Sequence, residues 1–84
     1  MSQPDKLRIL VTDDHTLFRR GTMMLLDSFD EVGHVEEAEN GKEAIQKLEE
    51  SQFDLILLDL EMPVMDGWET SKKITAKYPE VKVI

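Results

Sequence analysis

Cysteine is absent from this 84-residue chain, so neither a disulfide framework nor thiolate chemistry is available to it. That absence fits a reducing compartment, and a cytoplasmic location is the expectation. Basic residues are scarce: 10 Lys and Arg stand against 18 Asp and Glu, for a formal net charge of −8. Nucleic-acid affinity comes largely from Lys and Arg on phosphates, so this balance argues against a nucleic-acid partner for the segment. It favours solubility and a cationic ligand instead. Long apolar runs are missing too. Leu55-Ile56-Leu57-Leu58 is among the longest aliphatic stretches, far short of the roughly 20 residues a membrane helix needs. The start, Met1-Ser2-Gln3-Pro4-Asp5-Lys6, has no apolar signal region behind it. No membrane partner is expected. Repeats, low-complexity tracts and linkers are likewise lacking.

What remains is the composition of one soluble domain, with 40% hydrophobic and 33% charged residues. A chain of this length buries only about 60–65% of its unfolded surface, enough to fold but with little margin.

Two short apolar runs each stop at acid. Arg8-Ile9-Leu10-Val11-Thr12 runs into Asp13-Asp14, and Leu55-Ile56-Leu57-Leu58 runs into Asp59. A buried strand that ends in a carboxylate delivers it to one edge of a sheet. Between these runs the pattern alternates. Leu7 to Thr12 reads as a strand. Thr16 to Ser28 reads as a helix with Leu17, Gly21, Met24 and Leu25 on one face. His34 to Ala38 reads as a short strand. Asn40 followed by Glu43 resembles a capping box, opening a helix with Ala44, Ile45 and Leu48 inside that ends near Ser51. Leu55 to Leu58 is the next strand, and Glu61 to Asp66 a loop marked by Pro63. Asp66 and Glu69 repeat the capping pattern ahead of a helix from Gly67 to Lys77, with Gly67, Ser71, Ile74 and Tyr78 inward. Val81 to Ile84 begins a further strand.

Strands alternating with helices of this length imply βαβ units and a parallel sheet. In open doubly wound sheets ligands sit beyond the carboxyl ends of the strands, where strand order reverses. If the first and third strands are neighbours there, Asp13, Asp14 and Asp59 meet. Their mutual repulsion is relieved by a divalent ion, and a hard oxygen set suits Mg²⁺. A carboxylate beside such an ion can attack phosphorus and form an acyl phosphate.

The segments Ile9-Leu10-Val11-Thr12-Asp13-Asp14 and Asp54-Leu55-Ile56-Leu57-Leu58-Asp59-Leu60-Glu61-Met62-Pro63-Val64-Met65-Asp66-Gly67 resemble the receiver domain of two-component response regulators. Asn40-Gly41-Lys42-Glu43-Ala44 is similar to that family's second helix start, and the likeness runs from Leu7 onward. The run Asp13-Asp14-His15-Thr16-Leu17-Phe18-Arg19-Arg20-Gly21 further resembles receivers that precede a LuxR-type helix-turn-helix output domain. The resemblance implies a flavodoxin-like α/β fold with helices on both faces of the sheet. It implies that Asp59 is the phosphoacceptor, taking its phosphoryl group from a sensor histidine kinase. Asp14 would bind Mg²⁺ directly, Asp13 directly or through water, and the Glu61 backbone carbonyl would be a third protein ligand. Pro63 and Gly67 would shape the loop beyond the acceptor.

A complete receiver also carries a Ser or Thr ending a fourth strand and a Lys ending a fifth. Residues 1–84 hold neither, so they read as the N-terminal portion of a receiver domain, ordered strand, helix, strand, helix, strand, helix, strand. Lys72, Lys73 and Lys77 cannot stand in, being on a helix. Slow phosphotransfer and defective switching are expected of this segment alone. Self-association through Val81-Lys82-Val83-Ile84 is expected, as an apolar edge strand. The chain is expected not to be an enzyme. Two alternatives are a non-phosphorylated interaction module and a Mg²⁺-dependent phosphatase of the haloacid-dehalogenase type. The latter wants Asp two residues after its nucleophile, where Glu61 stands here.

Other residues have plainer readings. Asp30, Asp54 and Asp66 are turn and cap residues. His15 reads first as surface packing and only secondly as a neighbour of the site, and His34 as a strand residue. Met23, Met24 and Trp68 read as core, with Met62 and Met65 as adaptable packing beside the loop. Glu36-Glu37 and Glu49-Glu50 read as solvated faces.

Overall fold

The computed structural model describes residues 6–59 and 67–84. The elements alternate as the sequence pattern requires: β1 (Leu7–Thr12), α1 (Thr16–Asp27), β2 (Val32–Ala38), α2 (Gly41–Glu50), β3 (Leu55–Leu58), α3 (Gly67–Lys77) and β4 (Lys82–Val83). The four strands form one parallel sheet in the order β2-β1-β3-β4. The first strand is therefore central and the order reverses between β1 and β3, the flavodoxin-like arrangement.

Ladder register sets where the strands end. Thr12 lies opposite Ala38 on β2 and opposite Leu58 on β3. The backbone bonds run one residue further, with Asp13 N donating to Ala38 O at 3.1 Å and Asp59 N to Thr12 O at 3.0 Å. A register shift between Leu7 and Arg8 starts the β1–β2 pairing. Gly33 lies beside it, where a Cβ would come within 2.8 Å of the Lys6 Cβ.

The core lies on one face. Leu10, Ala38, Ala44, Leu48, Phe53, Ile56, Ile74 and Val81 form a closed cluster that joins the sheet to α2 and α3. Strand alternation sends Ile9 and Val11 to the other face, where both are still buried. The start of α2 is well capped: Asn40 Oδ1 accepts from Glu43 N at 2.8 Å, and Glu43 Oε1 accepts from Glu39 N at 2.9 Å. The reciprocal bond thus reaches one residue beyond the usual capping box.

Three expectations about packing are corrected. The face of α1 carrying Leu17, Gly21, Met24 and Leu25 does not meet the sheet. Leu17 is 88% exposed, Met24 76% and Leu25 62%, and nothing stands within 4 Å of a Cβ placed on Gly21. The inward row is Arg19, Thr22, Met23 and Leu26, with Arg19 buried and the others half-buried. Trp68 is also outside, at 65% exposure, and Thr70 is fully buried two positions later. Glu36 and Glu37 are not solvated faces but half-buried partners in ion pairs, Glu36 with His34 and Lys47 and Glu37 with Arg19 and Arg20. Met62, Pro63, Met65 and the Asp66 cap lie outside the described residues.

Candidate functional site

The central strand and its neighbour deliver their acids to the same edge. Asp13, Asp14, His15 and Asp59 each offer one ligand atom, and these atoms all lie within 4.8 Å of one another. Asp13 is the most buried, at 8% exposure. Its Oδ1 accepts a hydrogen bond from the His15 backbone N at 2.8 Å. The Asp14 side chain is 29% exposed and that of Asp59 27%. Three of the residues expected in the site therefore come together. Glu61, whose carbonyl was the fourth expectation, lies outside the described residues.

His15 belongs to the cluster, which corrects its reading as surface packing. Its Nδ1 stands 3.1 Å from Asp13 Oδ1, 3.1 Å from Asp14 Oδ1 and 3.9 Å from Asp59 Oδ2. The hydrogen bond to Asp13, then the charge of Asp14, holds the imidazole above its ordinary value of 6.5. The sequence signal was adjacency. A residue directly after an acid pair starts its side chain beside both carboxylates, and the His15 ring meets them while staying largely exposed.

Arg19 was missed as well. Its side chain is buried, with Nη1 donating to the Asp13 carbonyl at 2.6 Å and Nε donating to Glu37 Oε1 at 2.7 Å. The hydrogen bond from Arg19, followed by the charge of Arg20, holds the Glu37 carboxyl below its ordinary value. Arg19 therefore ties α1 to β2 and to the backbone of a site residue, without itself entering the acid cluster. No local pattern announces this, because one acceptor is a backbone carbonyl just past β1 and the other lies on β2.

The donor set fits a hard divalent cation. Carboxylates from Asp13, Asp14 and Asp59 converge, and Asp14 Oδ1 is buried without a hydrogen-bond partner. A buried carboxylate oxygen without a hydrogen bond is costly unless positive charge meets it, from the His15 ring 3.1 Å away or from a bound cation. A groove of about 460 Å³ opens from the cluster across the α1 side of the sheet, lined by Val11, Phe18, Thr22, Leu57 and Ile84 beside the acids.

Residues 9–84 match the response regulator receiver domain. The chain belongs to that family. It is 40% identical over 78 residues to the transcriptional regulatory protein LnrK of Bacillus subtilis, covering 93% of this chain and 36% of that protein. The signal receiver domain of the response regulator NarL from Mycobacterium tuberculosis superposes with a TM-score of 0.86 at 35% identity, over 95% of this chain and 64% of that one. The response regulator TrrA of Thermotoga maritima, solved in complex with Mg²⁺-BeF, gives 0.83 at 36% identity, over 92% and 65%. TrrA has also been solved in complex with the histidine kinase ThkA. The receiver therefore spans about a third of the curated regulator and about two thirds of these solved chains. Matching relatives are mostly transcriptional regulators, with a protein-glutamate methylesterase among them. Among the described residues, no helix is long and apolar enough to cross a membrane.

Proposed function

We propose that Asp59 is the phosphoacceptor of this receiver, with Mg²⁺ held by the side chains of Asp13, Asp14 and Asp59 and by the Glu61 backbone carbonyl. One observation carries the reading: the acid ending β3 stands against the acid pair ending β1. The partner is a sensor histidine kinase, in keeping with the TrrA–ThkA complex. In the transfer, an Asp59 Oδ attacks the phosphorus of a phosphohistidine. The phosphorus–nitrogen bond breaks, its electron pair returns to the imidazole, and an acyl phosphate is left on Asp59. When bound, Mg²⁺ supplies positive charge against the carboxylates and the phosphoryl oxygens. Asp13 is held in place through its carbonyl by Arg19 and through its carboxylate by the His15 N–H. Asp59 is held through its N–H by Thr12. These fixed positions orient the nucleophile, which is where most of the catalysis in phosphoryl transfer lies.

Residues 1–84 are read as the N-terminal portion of a receiver domain, and the protein as a non-enzymatic regulator working in the cytoplasm. The segment by itself is expected to accept phosphate slowly and to switch poorly, lacking the Ser or Thr and the Lys of the family pattern. Self-association is proposed through β4, which forms one edge of the described sheet. Light scattering over a concentration series should show species larger than one chain, and a monomer at tens of micromolar would refute it.

Acetyl phosphate and Mg²⁺ should label Asp59 in a slow, single-turnover reaction, read by intact-mass spectrometry. Asp59→Asn should remove the label, and Asp14→Asn should weaken Mg²⁺ binding about 10–100-fold. Labelling that survives Asp59→Asn overturns the assignment. Continuous phosphate release would point instead to the phosphatase reading.

A further inference from the structure

The magnesium reading uses oxygen donors only and leaves out the side chain that faces all three acids. His15 Nδ1 lies 3.1, 3.1 and 3.9 Å from oxygens of Asp13, Asp14 and Asp59. Two donors bound side by side to one ion at about 2.1 Å stand about 3 Å apart, and two on opposite sides about 4.2 Å. The three measured spacings all fall inside that range. His15 is the N-cap of α1, yet its side chain makes no capping bond, so the ring has no helix-capping task. The side chain is 72% exposed, which leaves a path from solvent. The buried Asp14 Oδ1, which makes no hydrogen bond, lies 3.1 Å from this nitrogen. A cation with nitrogen affinity placed between them would be met by carboxylate oxygens on one side and by the imidazole nitrogen on the other.

We propose that His15 is a further metal ligand of this centre, binding through Nδ1, and that it makes the centre select divalent ions of the nickel, copper and zinc class over Mg²⁺. This rests on the acid cluster being a metal site, as proposed above. An all-oxygen set suits Mg²⁺, whereas an imidazole adds affinity for later transition metals along the Irving–Williams order. The binding tautomer carries its proton on Nε2 and presents the Nδ1 lone pair. The ring's contact with Asp13 Oδ1 is exchanged for the metal bond. Asp13 Oδ1 keeps the His15 backbone N–H, so the ligand frame persists. An ion of this class would compete with Mg²⁺ for the same carboxylates.

Mg²⁺ and Ni²⁺ are titrated separately by calorimetry into the full chain and into the variants His15→Ala and His34→Ala. The Cu²⁺ adducts are examined by electron paramagnetic resonance. Ni²⁺ should bind the parent chain on the order of 100-fold more tightly than Mg²⁺. His15→Ala should cost Ni²⁺ about 10–100-fold while Mg²⁺ affinity holds within about threefold. Nitrogen hyperfine splitting on Cu²⁺ should vanish in His15→Ala and persist in His34→Ala. Ni²⁺ affinity that does not respond to His15→Ala overturns the inference and, if Mg²⁺ still binds, leaves the magnesium reading standing. The converse, Ni²⁺ bound through His15 without Mg²⁺ binding, supports the inference and defeats the magnesium reading. If neither ion binds, both fall.

Discussion

The two faces of the sheet are built on different principles. On the α2 and α3 face, Leu10, Ile56 and Ile74 are fully buried within one apolar cluster. On the α1 face, the inward helix row is led by a charged residue, Arg19, while Leu17, Phe18 and Leu25 face outward. One face is held by apolar burial, which is non-directional and proportional to area. The other adds to its buried Ile9 and Val11 the directional bonds from one guanidinium to the Asp13 carbonyl and to Glu37. The acid cluster lies where the two regimes meet. Apolar packing fixes the strands that carry it, and polar bonds fix the turn that aims it.

The comparison is broken most directly by emptying the apolar face. Ile56→Ala should cost about 3 kcal/mol, a large share of the stability of so small a domain. Leu17→Ala on the outward row of α1 should change stability by less than about 0.5 kcal/mol. Denaturant midpoints measure both, and equal losses would mean that α1 packs as tightly as the core helices.

A smaller effect tests the polar face. Glu37→Gln weakens the partner of a buried guanidinium and should cost about 1–2 kcal/mol near neutral pH. The folded-state carboxyl is held below its ordinary value of 4.5, so its contribution is present above that pH and fades as pH falls through the lower folded value. The gap between parent and Glu37→Gln should therefore narrow below pH 4.5. A gap that stays constant down to the acid transition would show that the Arg19–Glu37 pair adds nothing specific.

The sequence was legible where local pattern and tertiary need agree. Both acid-ended strands, the Asn40 cap, the α2 interior and the alternation of strand and helix are all present. The meeting of Asp13, Asp14 and Asp59 followed from strand order and the ends of the strands. Failure came where distant acceptors decide an orientation. Arg19 entered only through the LuxR-type resemblance, because its packing role depends on β2 bringing Glu37 to it and on the Asp13 carbonyl just past β1. That pairing turns α1 so that Leu17 and Met24 face out, although an apolar row at 17, 21, 24 and 25 was the obvious inner face. Glu36 and Glu37 looked solvated for the same reason, since their partners lie on other elements or two residues along β2. His15 was underrated because a lone histidine after an acid pair carries no periodicity.

The bonds that extend the ladders past the last paired residues have a consequence for tolerance to change. Ala38 O receives Asp13 N, Thr12 O receives Asp59 N, and Ile84 O receives Leu58 N. The gap between Asp59 and the acid pair is therefore ruled by the spacing of hydrogen-bonded strands, about 4.8 Å in any sheet. Side chains beneath can drift in size and shape without resetting that ruler, because its divisions are peptide groups and every residue but proline supplies the same ones.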